Sequence, residues 1–156
     1  MTLTPSSALA NLKKIGELDD VPASAEQGQR KLEYAAAQLA DANRDSNNNE
    51  TRFECAYNAI RSVAELGLLR FGYRPSNKQG HHRTAIQSLC HTLQADGRTV
   101  QLIETLRKQR NAASYDADPV TDAALRACID TAEQLLNAAK AIVAADGWVA
   151  QAGPGG

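Results

Sequence analysis

The chain has 156 residues and a formal net charge of −1. That is enough for one domain with a real core and too balanced to draw the whole molecule to nucleic acid or an anionic membrane. Aromatics make up 4% of the residues while alanine is abundant, which suits close-packed helices better than an aromatic-rich sandwich of strands. No apolar run approaches a membrane span, and the amino terminus lacks the cationic-then-apolar layout of a secretory signal. The expected location is the cytoplasm, with no membrane partner.

The first elements fall in residues 1–24, read as an amino-terminal arm. Its helix, Ser7 to Gly16, carries Leu9, Leu12 and Ile15 on one side and ends at Gly16 and the Asp19-Asp20-Val21-Pro22 turn. Residues 25–146 read as an all-α antiparallel bundle of about five helices, and 147–156, closing on Ala152-Gly153-Pro154-Gly155-Gly156, as a disordered tail. Ser24 is placed to cap the first helix, Ala25 to Asn43, whose Leu32, Ala35, Ala36 and Leu39 follow helical spacing. The asparagine run Asn43–Asn49 then breaks it, because those side chains compete for nearby backbone groups.

A second helix, Glu50 to Phe71, aligns Phe53, Ala56, Tyr57, Ile60, Ala64 and Leu68 as the centre of the core before Gly72 stops it. The segment from Gly72 to Gly80 reads as a polar loop containing Pro75. Helix three, His81 to Leu93, turns Ala85, Ile86 and Leu89 inward, and Asp96-Gly97 bends the chain. Helix four runs from Thr99 to Ser114, Asp118-Pro119 forces an extended break, and helix five covers Asp122 to Ala145 with Ala124, Cys128, Leu135 and Ile142 inward. Cys55, Cys90 and Cys128 each sit on a helix among apolar neighbours, as reduced core thiols would.

On the fourth helix Val100, Ile103, Leu106 and Ala113 share one side, and Arg110 projects into the same stripe. An unpaired buried guanidinium is very costly. Arg110 must therefore meet a carboxylate, helix-end carbonyls, a subunit interface or an anionic ligand.

The stretch Arg110-Asn111-Ala112-Ala113-Ser114-Tyr115 resembles the Arg-Asn-x-x-x-His signature of the HEPN superfamily, with Tyr115 at the histidine position. The resemblance extends through Arg52-Phe53-Glu54-Cys55-Ala56-Tyr57-Asn58-Ala59-Ile60, Gly72-Tyr73-Arg74-Pro75 and Gly80-His81-His82, over roughly residues 25–145. It implies a compact helical bundle, usually a homodimer. In the active ribonucleases of the family it implies a histidine and an arginine acting on the 2′-hydroxyl and the scissile phosphate in a cleft between two subunits. Tyrosine, with a pKa near 10, is ionised to only about one part in a thousand at pH 7, so Tyr115 is a poor substitute base. It remains a hydrogen-bond donor and a stacking surface. Alternatively, Arg110, Asn111 and Tyr115 simply brace the helix end.

His81 and His82 open a helix, where free backbone amides favour an anion; they either assist Arg110 in holding a phosphate or merely shape the loop. Adjacent His81-His82 and Cys90-His91 lack the paired spacing of a zinc site, so no metal is expected. Arg107, Lys108 and Arg110 with Arg70, Arg74, Lys78 and Arg83 form a basic patch at one end of the bundle if the fold makes them converge. A phosphate-cradling glycine loop, a Gly-x-Ser-x-Gly elbow and a spaced acidic constellation are all missing, so no cofactor and no independent catalysis are expected.

The sequence thus leads to an all-α, HEPN-like, homodimeric module that binds rather than cleaves. Its anion-accepting cleft is formed by Arg110, Asn111, Tyr115, His81, His82 and Arg107, for an RNA or nucleotide ligand. Two alternatives stand beside it. One is a ribonuclease or toxin with altered chemistry, paired with a nucleotidyltransferase-like antitoxin; the other is a purely structural interaction domain.

Overall fold

The computed structural model describes residues 5–77 and 81–146, apart from the side chains of Pro5, Ser6, His81, His82 and Asp146. The expected disordered tail, 147–156, lies outside the described residues. The architecture is an all-α bundle carrying one two-stranded ribbon. In chain order the elements are α1 (Pro5–Lys14), β1 (Leu18–Asp20), α2 (Ala25–Ala42), α3 (Asn49–Arg70), β2 (Tyr73–Pro75), α4 (His81–Gln87), α5 (Leu89–Thr92), α6 (Gly97–Tyr115) and α7 (Asp122–Asp146).

Side-chain caps set the starts of α2, α3 and α6. Ser24 accepts a hydrogen bond from the Gln27 amide at 3.2 Å, Asn48 from Thr51 at 2.8 Å and Asp96 from Thr99 at 2.8 Å. Each satisfies an amide that the first turn leaves without an intrahelical partner. The short turn between α2 and α3 makes them antiparallel neighbours. It is tied down by Arg52, whose Nε donates to the Ala42 carbonyl at 2.8 Å. Helix α3 is the axis of the molecule: it packs against α2, α4, α5, α6, α7 and β2. Phe53, Ala56, Tyr57, Ile60, Ala64 and Leu68 are all buried, as their spacing predicts.

The sequence reading needs correction at several places. The polar loop after Gly72 holds strand β2, antiparallel to β1 in the register Leu18↔Pro75, Asp19↔Arg74, Asp20↔Tyr73. Gly72 supplies the positive φ of 82° that ends α3, and its carbonyl accepts from the Val21 amide at 2.9 Å, extending the ribbon. Pro75 is tolerated because β2 is an edge strand and needs no further donor there. The ribbon and α1 bring Leu9 and Leu18 into the central core cluster. Ile15, expected inward, is 64% exposed; it lies just past α1, where Gly16 with a φ of 84° turns the chain toward β1. The helix expected over 81–93 is split into α4 and α5 at Ser88, whose hydroxyl bonds back to the Thr84 carbonyl at 2.8 Å, a contact that competes with regular helix.

The cysteines are not uniformly core residues either: Cys128 is buried, Cys55 half-buried and Cys90 exposed. Burial, reinforced by the Glu54 charge, pushes the Cys128 thiol from its ordinary 9.0 up to about 12. Burial also raises Cys55. An alkylating reagent at pH 8 is expected to modify Cys90 first and Cys128 only after unfolding, because the thiolate is the reactive form. Peptide mass spectrometry of the native protein checks this, and labelling of Cys128 as fast as Cys90 would refute it. Because the folded pKa of Cys128 is the higher one, its contribution to stability is complete below pH 9 and lost as pH rises toward about 12.

Candidate functional site

Arg110 lies on α6, whose fully buried contribution to the core is Ile103 and Leu106. Its guanidinium spans the α3–α6 groove to Glu54 in a two-pronged bond, Nε to Oε2 at 2.7 Å and Nη2 to Oε1 at 2.7 Å. It also sits over the Tyr57 ring, 5.2 Å from the centroid. Glu54 and Tyr57 are three residues apart on α3 and so share a face, which lets one cation use both. The Arg110 side chain is 27% exposed, a position between core and surface. Hydrogen bonding to Glu54 raises its pKa further, against the opposing effect of burial. Arginine stays charged in any case, so the pair is a permanent ion pair while Glu54 is ionised.

Beneath it the Tyr57 side chain is fully buried, and its hydroxyl has no hydrogen-bond partner among the described residues. Burial pushes its pKa up to about 12; the Arg110, Arg107 and Arg61 guanidiniums oppose this and the Glu104 carboxylate adds to it. Tyr57 is therefore a fixed neutral platform and no base. Arg107 Nε is 3.2 Å from Glu104 Oε2, and Arg83 Nε is 3.6 Å from Glu104 Oε1. Arg107 is thus also paired with a carboxylate, though by one longer bond and on a carboxylate it shares with Arg83.

The cleft beside this pair, ≈ 380 Å³, is lined by Glu50, Thr51, Glu54, Cys55, Arg110 and Ser114 among others. Its lining holds two carboxylates against one guanidinium. Asn111 is half-buried near the end of α6. Tyr115, the last residue of that helix, is 85% exposed. The backbone of His81 and His82 opens α4, while their side chains lie outside the described residues.

The basic patch comes together only in part: Arg107 and Arg83 meet at Glu104, but Arg110 and Arg70 stay apart. Arg110 meets α3 at Glu54, whereas Arg70 lies sixteen residues further along the same helix, about 24 Å at 1.5 Å per residue. There Arg70 Nη1 donates to the Thr92 carbonyl at 3.1 Å. Arg74 is on β2, beyond that end of α3, and Lys78 is outside the described residues. Antiparallel packing of α3 and α6 separates these cations.

Sequence reasoning named Arg110 but not its partners Glu54 and Tyr57, nor Glu104. The available signal was the spacing of Glu54 and Tyr57 on the core helix: an acid three residues before a buried aromatic is where an inward arginine finds both a counter-charge and a ring. Among the described residues no three His, Cys, Asp or Glu side chains are grouped to hold a metal. No helix among them is long and apolar enough to cross a membrane. No family model matches the chain, and no curated protein matches it.

Proposed function

We propose that this chain is a non-catalytic binding or regulatory module, similar to HEPN bundles, in which Arg110 accepts an anionic group of an RNA or nucleotide only when Glu54 gives way. The observation that carries the reading is the Glu54–Arg110–Tyr57 unit. A guanidinium whose Nε–Nη2 edge is held bidentately by its own carboxylate has its charge neutralised and its best phosphate-binding edge occupied, and the neighbouring tyrosine hydroxyl stays protonated through the physiological range. Tyr115, in the position of the signature histidine, is largely exposed to solvent.

The purified protein is expected to leave single-stranded RNA and tRNA uncut at neutral pH. Gel analysis of labelled substrates is the check, and robust cleavage that disappears in Arg110→Ala would overturn the reading in favour of a ribonuclease or toxin. A second reading, a purely structural interaction domain, is favoured by the same bidentate pair, since a neutralised arginine braces α6 whether or not a ligand arrives. Titration with inorganic phosphate separates the two. The binding reading requires Glu54→Gln, which keeps the shape and removes the competing charge, to bind phosphate more tightly than the parent chain.

A further inference from the structure

A different face of α3 carries a second arrangement. Between α2, α3 and the β ribbon lies a groove with two adjoining halves, each ≈ 340 Å³, that share Gln27, Lys31 and Glu65 in their linings. One half is walled by Val21, Leu69, Tyr73 and Pro75, with Ser76 and Asn77 at its edge. The other is lined by Arg30, Lys31, Arg61 and Tyr34, with the buried Ser62 at its base. At the junction the Glu65 carboxylate faces Lys31 Nζ at 3.1 Å and Arg61 Nε at 4.0 Å. Arg61 Nε is buried without a hydrogen-bond partner among the described residues. Ser62 donates to the Lys31 carbonyl at 3.0 Å, which fixes α2 against α3 and so fixes the spacing of the cations.

From one end to the other, then, the groove presents an apolar slot with polar edges, a carboxylate and an amide, and a cluster of three cations. Each zone matches one part of a nucleoside phosphate. A flat base suits a slot with Tyr73 and Leu69 as walls. A ribose diol donates to a carboxylate, which a fully ionised phosphate oxygen cannot do. Phosphate oxygens accept from guanidinium and ammonium groups.

We propose that this α2–α3 groove is a binding site for a nucleoside diphosphate, with its base against Tyr73 and Leu69, its ribose hydroxyls on Glu65 and its phosphates on Arg30, Lys31 and Arg61. The site does not depend on the Arg110 cleft: Glu65 is eleven residues from Glu54 along α3, about 16 Å. The carboxylate that would repel a bare anion is what separates this ligand from inorganic phosphate. Tyr34, 43% exposed at the cationic end, bounds the groove there. Arg74, on the far side, also lines the apolar half and adds positive charge.

The test is amide NMR of the full chain titrated with ADP, GDP, UDP, 2′-deoxy-ADP and pyrophosphate. At least one ribonucleoside diphosphate is expected to shift amides in both halves, around residues 27–31 and 73–77. Pyrophosphate should shift the cationic half alone and bind more weakly, and the 2′-deoxy compound should lose about tenfold relative to ADP if ADP binds. Arg30→Glu is a safe charge reversal because that side chain is 61% exposed and, among the described residues, paired only with Glu26; it should weaken binding at least tenfold. Three results overturn the site: no shifts with any nucleotide at millimolar concentration, unchanged affinity in Arg30→Glu, or binding lost in Arg110→Ala and kept in Arg30→Glu. The last of these would place the ligand at the α3–α6 cleft instead.

Discussion

Replacing Arg110 by alanine is expected to destabilise the fold by about 1–3 kcal/mol, between the near-zero value of an exposed pair and the 3–5 kcal/mol of a fully buried one broken on one side. The intermediate value follows from geometry: the arginine is 27% and Glu54 41% exposed, so water screens the pair in part. The loss has three sources. The two-pronged hydrogen bond disappears, the stacking on Tyr57 disappears, and Glu54 is left without its cation beside a buried ring. Glu54→Ala should cost less, because Arg110 can stay on Tyr57 and turn its charge toward solvent. The double variant should lie well short of the sum of the two singles, since both remove the same contact. Arg110→Lys keeps the charge but not the fork, so it should recover only part of the loss.

A local readout accompanies the global one. Only Ile103 and Leu106 of α6 are fully buried, so the Arg110 contact fastens the carboxy-terminal half of that helix. Amide exchange over residues 107–115 should accelerate in Arg110→Ala more than exchange in α3 does. Denaturant unfolding supplies the first measurement and hydrogen exchange the second. An Arg110→Ala protein as stable as the parent, with α6 unchanged, would remove the bracing role and leave Arg110 free to serve a ligand.

The helices were legible because each carries several independent signals that agree. In α2 a capping serine, an apolar repeat and a run of asparagines beyond the end all point to the same boundaries; in α3 the buried set is nearly the whole apolar set. The ribbon was illegible for the opposite reason. Leu18-Asp19-Asp20 and Tyr73-Arg74-Pro75 are three residues each and lack alternation, and they pair across more than fifty residues of chain, so no local pattern registers them. Ser88 hides a helix break inside good helical spacing, visible only through its bond to Thr84.

For the site, periodicity on α6 showed that Arg110 points inward, which is a statement about one helix. The identity of its partner is a statement about two. Glu54 sits on the edge of the α3 apolar stripe, and several acids stood at comparable positions; only the crossing of α3 with α6 selects it. The same crossing keeps Arg110 apart from Arg70, two cations of the patch whose convergence the sequence left open. Charge clusters are weakly encoded in sequence because a helix carries successive residues to all sides.

The second large effect belongs to Gly67, a glycine in the interior of α3 that sequence propensity alone would replace with alanine. Alanine there gains about 1 kcal/mol of helix propensity, so the substitution looks stabilising until the crossing with α5 is considered. A Cβ on residue 67 would lie 2.5 Å from Thr92 Oγ1 and 2.8 Å from Thr92 Cβ. Rotation about χ1 can move the hydroxyl away, but it cannot move the Cβ. Thr92 is itself buried, and its carbonyl is held by Arg70, so α5 has little freedom to retreat. Overpacking of this kind costs about 1–3 kcal/mol, and the steric cost should exceed the propensity gain, leaving Gly67→Ala less stable by about 1–2 kcal/mol and α5 displaced from α3. Adding Thr92→Ala removes the Oγ1 clash and leaves the Cβ one, so it should restore part of the loss at most. Thermal unfolding of the two variants decides the matter: a Gly67→Ala protein with a higher Tm than the parent would mean that α5 moves freely and that the glycine is not there for close approach.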